Sequence, residues 1–286
     1  MERALFNERF FMRKTCILAA LATCAFAPAV TSAVTVTPIY SHLGSADFDG
    51  SDGDVKTTVY GIIAENDMFT FGYTKTSYDF SRFTDVDLNK LFGDVRYTRV
   101  NPGSIGYFVG AGLSFGWEDD FNISENYSFT PRGGINYNFD ADWTLSGGVA
   151  MNFNEIENYF MPILTLAYRD FNDLGFSGIF GTYNRAQYRF SQALAVEGNV
   201  RGIDREIYQL ADKSRNGAAR EGYLMERAIS ASAGVVVTPI DALTLRAGVE
   251  ARFDREIKLY NKNGDKLTKN DVDPSYGLYI NGTLSF

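Results

Sequence analysis

Four acidic side chains stand at matching positions of two similar segments, and their types and spacing suggest chemistry. The segments Asp204–Ile207 and Asp254–Ile257 both read Asp-Arg-Glu-Ile and lie 50 residues apart. Each follows a stretch of alternating apolar and polar residues, 193–203 and 242–253. Carboxylates gathered at one level attract cations or hold a divalent ion, whereas carboxylates that pair with nearby Arg residues form only a charged rim. The sequence leaves both interpretations open.

Other candidate chemistry has less support. The single His, His42, lies near the acidic stretch 45–54, but proximity in sequence is not the geometry of a catalytic triad. Residues 261–265 resemble the start of a calcium loop, yet the twelfth position is Val272 instead of Glu, and an Asn-Gly turn accounts for the pattern. We therefore expect no enzyme activity, no metal and no cofactor; a hydrolase that uses His42 is the least favoured alternative.

The composition excludes several classes of protein. The 286 residues carry a net charge of -8 and include 2 Cys, 1 His and 15% aromatic residues. Cys and His are too few for a zinc ribbon or a disulfide framework, and the acidic balance gives no electrostatic footprint for nucleic acid. No apolar run after residue 33 approaches the length of about 18 residues that a transmembrane helix needs.

The elements that must position these residues are strands, because alternation with period two dominates the chain after residue 33. In 104–118 the odd positions are apolar, and the even positions are small or polar apart from Phe108. The same pattern recurs in 127–139 and 143–154. Alternating strands of about ten residues with aromatic ends are typical of transmembrane β-barrels, whereas strands of soluble sheets usually have about five or six residues.

The alternation predicts an all-β fold, a transmembrane antiparallel up-and-down β-barrel of fourteen strands. Twelve strands are the alternative, because the first strand contains Pro38 and the hairpin 174–190 is short. The longer loops lie at about 42–53, 81–89, 118–126, 154–158, 211–222 and 261–274. The candidate strands begin near Val34, Asp54, Met68, Lys90, Ser104, Tyr127, Trp143, Tyr159, Leu174, Thr182, Leu194, Tyr223, Leu243 and Ser275.

The two acidic segments differ by one residue in their position relative to the alternation of the strand that precedes each of them. Alternation turns the carboxylates of the later segment towards the barrel interior, but it turns those of the earlier segment outward. An extra residue near Arg201 would restore the match, so we predict a β-bulge there in which Gly202 adopts the required backbone angles. Arg205 and Arg255 then point outward, towards lipopolysaccharide phosphates. The carboxylates that then line the outer mouth are Asp204, Glu206, Asp254 and Glu256.

A second group of charged residues falls on predicted interior positions and includes both signs. Opposed charges in a narrow barrel pair and fill the lumen, whereas in a wider barrel they form a transverse field that selects polar solutes. The sequence does not choose between the two. The group consists of Arg132, Arg185, Arg189, Glu197, Arg201, Glu226, Arg246, Glu250 and Arg252.

The N-terminal segment predicts export. Basic residues at 13–14, an apolar stretch from 16 to about 26 and small residues at 31–33 are the parts of a secretory signal peptide. We assign residues 1–33 to an N-terminal extension and cleavable signal peptide, and residues 34–286 to the barrel.

The C-terminal strand has an apolar face that ends in Phe. It resembles the terminal strand of bacterial outer-membrane barrels, which the barrel-assembly machinery recognises. The residues of this face are Tyr276, Leu278, Ile280, Leu284 and Phe286. Together with the signal peptide, this pattern predicts a protein of the bacterial outer membrane whose partners are membrane lipid, lipopolysaccharide and the assembly machinery.

Residues 185–286 resemble uncharacterised outer-membrane barrels of proteobacteria, through 187–191, the two Asp-Arg-Glu-Ile strand ends and the terminal aromatic strand. That family implies no activity. The strand count is also similar to that of fatty-acid and hydrocarbon channels, although this chain has no room for their N-terminal hatch. We expect a narrow pore or binding barrel for small solutes; the alternative is a structural or surface-interaction barrel with a filled lumen.

Overall fold

A computed structural model describes residues 33–50, 53–81, 84–101, 103–119, 121, 123, 126–212 and 217–286. The predicted extension and signal peptide, up to residue 32, lie outside the described residues. None of the described helical segments is long and apolar enough to cross a membrane. The strands of the described ranges are β1 (Thr35–Asp47), β2 (Asp54–Glu65), β3 (Phe69–Phe80), β4 (Val86–Arg99), β5 (Ile105–Trp117), β6 (Tyr127–Asn138), β7 (Trp143–Asn154), β8 (Tyr159–Tyr168), β9 (Gly175–Gly181), β10 (Tyr183–Ser191), β11 (Leu194–Gln209), β12 (Tyr223–Ile240), β13 (Leu243–Tyr260), β14 (Lys266–Val272) and β15 (Ser275–Ser285).

Fourteen of these strands close into a barrel. Each strand from β1 to β13 pairs antiparallel with its neighbour in the chain, and β15 pairs with both β13 and β1. The predicted fold and strand number are therefore confirmed. β4 begins at Val86, earlier than the predicted Lys90. The remaining strand, β14, lies within the predicted loop 261–274 and pairs with residues 255–260 of β13, where β13 continues past β15.

Alternate residues of each strand point away from the interior. The residues that point outward are mostly apolar. In β5, Ile105 is 64% exposed and Val109 is 53% exposed, while Gly106 between them is buried. The apolar face predicted for the last strand is exposed in the same way. Its outward residues are Tyr276, Leu278, Ile280, Leu284 and Phe286.

Outward aromatic side chains form belts at both ends of the barrel. At the end with the short turns, which we call the short-turn end, the rings of Trp143 and Tyr168 lie 4.5 Å apart. At the opposite end, the long-loop end, the ring of Phe253 lies 6.2 Å from that of Tyr276. An aliphatic band between two aromatic belts is the pattern of a β-barrel that spans a bilayer.

Two bulges alter the register near the long-loop end. The predicted bulge in β11 is confirmed, because the pairing with β12 shifts by one residue between Arg201 and Asp204. The reason we gave for it is wrong, since Gly202 does not use left-handed backbone angles. A second bulge, which the sequence did not predict, lies in β13 at Asp254, whose φ is 48°.

Three neighbouring strands, β11, β12 and β13, extend towards the long-loop end and have 16, 18 and 18 residues. β11 leans across the interior until Gln209 pairs in parallel with Trp117 of β5. The inner faces of the long strands then pack against those of β1 to β4. The resulting buried hydrophobic core, which we call the cap cluster, consists of Ala46, Phe48, Val55, Tyr78, Leu88, Tyr208, Leu210, Ala219, Leu224, Ile257 and Val272.

Candidate functional site

Eleven of the thirteen predicted interior charges face the barrel interior. After the bulge in β11, Asp204 pairs in register with Ala228 of β12, and Glu206 pairs with Glu226. Residues in register share one face of the sheet, so both carboxylates turn inward as predicted. The eleven residues are Arg132, Arg185, Arg189, Glu197, Arg201, Asp204, Glu206, Glu226, Arg246, Glu250 and Arg252.

The orientation predicted for Asp254, Glu256 and Arg255 is wrong. The second bulge shifts the register between β12 and β13 by one residue, and a slip of one residue exchanges the two faces of a strand. Arg255 therefore turns inward and is only 1% exposed. Asp254 and Glu256 turn outward instead, where they pair with Arg227 at 2.9 and 3.2 Å.

Glu226 is the centre of a buried network that crosses the interior near the long-loop end. It accepts hydrogen bonds from Arg255 Nε at 2.5 Å, from Arg252 Nη1 at 3.2 Å and from the hydroxyl of Tyr78. Arg255 Nη2 also donates to Thr57 Oγ1 at 2.7 Å. Because Thr57 and Tyr78 belong to β2 and β3, these contacts reach through the interior to strands three and five positions away around the barrel.

A second bridge joins β4 to β11 at the same end. Lys90 Nζ lies 2.9 Å from Glu206 Oε1, and the hydroxyl of Tyr208 donates to Glu206 Oε2 at 2.5 Å. The cap cluster, to which Tyr208 also belongs, occupies the interior beside this bridge. The two bridges and the cap cluster together close the barrel axis at the long-loop end.

In the half of the barrel next to the short turns, charged side chains lie along the wall. Arg132 of β6 makes two hydrogen bonds of 2.6 Å with Asp94 of β4. The pair crosses the inner face of β5, where Gly110 and Gly112 leave room: a Cβ at Gly110 would lie 3.2 Å from Arg132 Nη2, and one at Gly112 would lie 3.2 Å from Asp94 Oδ2. The salt bridge therefore stays against the wall.

Aromatic rings on this wall also lie flat. The ring of Phe108 covers Gly134 and Gly148, since a Cβ at either position would approach it within 2.6 and 2.7 Å. The ring of Phe92 covers Gly72 of β3 in the same manner. Glycine in neighbouring strands thus lets large inward side chains occupy the wall instead of the lumen.

The opposite wall carries a cluster around Glu197, which is 8% exposed. Glu197 Oε2 lies 2.9 Å from Arg185 Nη2 and 3.8 Å from Arg246 Nε. The β8–β9 turn folds against the same wall, where the backbone oxygen of Phe171 accepts hydrogen bonds from Arg189 Nε at 3.0 Å and from Gln187 Nε2 at 2.6 Å. These contacts join near neighbours in the wall and do not cross the barrel.

Sequence reasoning missed several interior residues that the predicted charges contact. Lys90 and Asp94 occupy alternate positions of β4 together with Leu88, so the alternation could have identified them once the strand began at Val86. Phe108 was visible as the single large residue on the polar face of β5. Tyr78 carried no local signal, because its partner Glu226 is 148 residues away in the chain.

His42 does not lie in a loop, as the hydrolase alternative assumed, but in β1. Its Nδ1 is 2.9 Å from Thr58 Oγ1 of β2. Ser45 Oγ donates instead to Asp54. Within the described residues, therefore, His42 does not contact a Ser or an Asp side chain that could form a triad with it.

Two loops form a polar cleft at the long-loop end. Asn261 Oδ1 accepts hydrogen bonds from the backbone nitrogens of Asn263 and Asp265, both at 2.9 Å, so this oxygen is used by the turn. Facing it, Arg220 donates two hydrogen bonds to Asp212, which lower the pKa of the Asp212 carboxyl. Among the described residues, no group of three Asp, Glu, His or Cys side chains is placed to hold a metal ion.

No family model matches the chain, and no curated protein is similar to it. Among solved structures, it is similar to an outer membrane channel from Pseudomonas putida F1, with 9% identity, 91% of this chain and 97% of that chain covered, and a TM-score of 0.43. The KdgM porin in complex with oligogalacturonate has 10% identity over 87% of this chain and 99% of that chain, with a TM-score of 0.34. The toluene transporter TodX of Pseudomonas putida has 10% identity over 92% and 91%, with a TM-score of 0.33.

Proposed function

We propose that the chain is a bacterial outer-membrane channel for small polar solutes. In this proposal the signal peptide directs export and is removed, the C-terminal strand engages the assembly machinery, and lipid and lipopolysaccharide surround the apolar band. The short turns face the periplasm and the long loops face the cell surface, as is usual for such barrels.

One observation carries the proposal: the large side chains of the short-turn half lie flat on the wall. Arg132 and Asp94 lie over Gly110 and Gly112, and the Phe108 ring lies over glycines of the neighbouring strands. In a barrel that is stabilised by a filled lumen, side chains that meet across the axis would contribute more stability than side chains that lie on the wall. Wall-lying charges instead leave space with a polar lining in this half of the barrel.

A structural barrel with a filled lumen is the second candidate, and the long-loop end favours it. The network of Glu226 and the Lys90–Glu206 bridge cross the interior there, and the cap cluster is buried. The two candidates differ in whether ions pass through the whole protein.

Conductance of the purified full chain in planar bilayers in KCl separates the two candidates. The channel proposal expects discrete, reproducible current steps after insertion. Current indistinguishable from the protein-free bilayer, in a sample whose barrel is folded by its heat-dependent electrophoretic mobility, would refute the channel and leave the filled barrel.

Replacing Lys90 by Ala is expected to raise the single-channel conductance, because the bridge from Lys90 to Glu206 crosses the interior at the long-loop end. The matched control is Lys75→Ala, which also removes a Lys that pairs with a carboxylate, Asp87, but outside this bridge, and it is expected to leave conductance unchanged. Equal conductance of the Lys90→Ala variant and the unsubstituted protein would show that this bridge does not limit the flow of ions.

A further inference from the structure

Three arginines on the inner wall of the short-turn half share a single carboxylate. Glu197 Oε2 lies 2.9 Å from Arg185 Nη2 and 3.8 Å from Arg246 Nε. Arg189 donates instead to backbone oxygens, among them that of Phe171 at 3.0 Å, and a carbonyl oxygen carries no full negative charge. The group that we call the arginine cluster consists of Arg185, Arg189, Arg246 and Glu197. It has two positive charges in excess.

Five other carboxylates of the interior interact with cations outside the arginine cluster. Asp94 is bound by Arg132 on the facing wall. Glu250 interacts with Arg252, which is one of two arginines that share Glu226. The remaining pairs, at the long-loop end, are Arg201 with Asp204 and Lys90 with Glu206.

The register of strands β10 to β13 places the arginine cluster over small residues. Arg189 pairs with Ala195 of β11, and Arg246 pairs with Val236 of β12. Ala195 and Val236 pair with each other, so the two arginines lie in one row of the wall, on either side of these two residues. Ala195 and Val236 are 0% and 1% exposed, which means that other side chains of the interior cover them.

The β8–β9 turn holds two of the arginines in place. The backbone oxygen of Phe171 accepts the hydrogen bond of Arg189, and the centre of the Phe171 ring lies 4.1 Å from the guanidinium carbon of Arg185. A guanidinium has five N–H donors, and these contacts leave some of them unused: Arg185 Nε has no hydrogen-bond partner. Donors that are already oriented lower the cost of binding an anion.

We propose that the arginine cluster binds the anionic group of small organic solutes and makes the channel prefer anions. The inference rests on the proposed channel function. A guanidinium binds a carboxylate or a phosphate through two parallel hydrogen bonds, and an excess of positive charge in a lumen with low-dielectric walls concentrates anions. The net charge of the whole chain is -8, so the net charge alone would predict the opposite preference.

The preference is measured as the reversal potential of the purified full chain in planar bilayers under a gradient of KCl. We expect the sign of a chloride-selective channel, with a ratio of chloride to potassium permeability above one. A ratio of one or less would overturn the inference while leaving the channel intact. Absence of current would instead refute the proposed function itself, so the two failures are distinguishable.

The double variant Arg189→Gln with Arg246→Gln removes the two positive charges in excess. Arg185 and Glu197 remain as a neutral pair. We expect the permeability ratio to fall towards one, and an unchanged ratio would show that the arginine cluster does not set the preference.

The matched control is Arg227→Gln, which also removes a charge from the barrel but on its outer face, where Arg227 pairs with Asp254 and Glu256. We expect the permeability ratio of this variant to equal that of the unsubstituted protein. An equal fall in the control and in the double variant would contradict a role of the interior arginines in particular.

Glu197→Gln tests the arginine cluster in the other direction, because it leaves the three arginines without their shared carboxylate. The permeability ratio is expected to rise. Both variants are measured only on protein that shows the folded electrophoretic mobility, and a role in folding alone would not move the ratio in opposite directions. A ratio that falls or stays constant in Glu197→Gln would contradict the assignment.

The class of solute is tested with succinate and butanediol, which share a four-carbon chain but differ in charge. We expect succinate to reduce the KCl current of the unsubstituted protein at a concentration at which butanediol does not, and to lose this effect in the double variant. Equal effects of the two solutes on the unsubstituted protein would exclude a site for anionic groups.

Discussion

Replacement of Glu226 by Ala is expected to lower the free energy of unfolding by about 3–5 kcal/mol, the usual loss when one partner of a buried ion pair is removed. The carboxylate is 3% exposed and accepts hydrogen bonds from Arg252, Arg255 and Tyr78. Without it, two guanidinium groups face each other in the closed end of the barrel with no counter-charge. Urea unfolding of the protein in phospholipid vesicles measures the loss.

The matched control is Asp212→Ala, which also removes a carboxylate that pairs with an Arg, Arg220. Since that pair lies in an exposed loop, where water screens it, we expect no measurable change. The double variant Glu226→Ala with Arg255→Met should be more stable than Glu226→Ala alone, because it also removes one of the unpaired charges. Equal costs for Glu226→Ala and Asp212→Ala would show that the cross-barrel network does not hold the long strands in place.

The faces of most strands could be predicted from the sequence, because the information is local. Each wall residue contacts either lipid or the interior, so its neighbours two positions away share its character. This is why β5 and β15 have the predicted faces. The bulge in β11 was also predictable. The Asp-Arg-Glu-Ile segment recurs in β13, and a comparison of the two strands revealed one extra residue in β11.

The bulge in β13 was not predictable from the same comparison. Apolar residues continue in regular alternation from Leu243 to Phe253, and the irregularity depends on Asp254 alone, a residue type that tolerates a positive φ. A single extra residue exchanges the inward and outward faces of the strand beyond it. The two Asp-Arg-Glu-Ile segments are therefore identical in sequence but face opposite ways: Glu206 faces inward in one and Arg255 in the other.

The closure of the long-loop end was not predictable because its contacts are distant in the chain. Lys90 meets Glu206 across 116 residues, and Arg255 meets Thr57 across 198. Alternation identifies which side chains point inward, but it does not say which opposite strand they reach. The lean of β11 towards β5 sets these partners, and it depends on the lengths of strands that are far apart in sequence. The short hairpin 174–190, in contrast, was already visible as an irregular feature.

Replacement of Gly277 by Ala is expected to disrupt the seam where the last strand of the barrel meets the first. Gly277 of β15 pairs with Leu43 of β1, and a Cβ at this position would overlap the backbone oxygen of His42 and approach Leu43 Cα within 2.8 Å. Backbone atoms cannot rotate away as a side chain can, so the two strands must separate. Overpacking in cores usually lowers the free energy of unfolding by about 1–3 kcal/mol. At the seam this loss weakens the pairing of β1 with β15, which closes the barrel.

Gly282→Ala is the control on the same strand, because the nearest atom to a Cβ there is Leu245 Cδ2 at 3.4 Å, the end of a flexible side chain. We expect this variant to keep the stability of the unsubstituted protein. The folded fraction after refolding into detergent, read from heat-dependent electrophoretic mobility, and the urea midpoint in vesicles should both fall for Gly277→Ala only. If Gly277→Ala refolds as well as Gly282→Ala, the seam must be able to widen by the diameter of a methyl group. β15 would then be held by its contacts with β13 more than by those with β1.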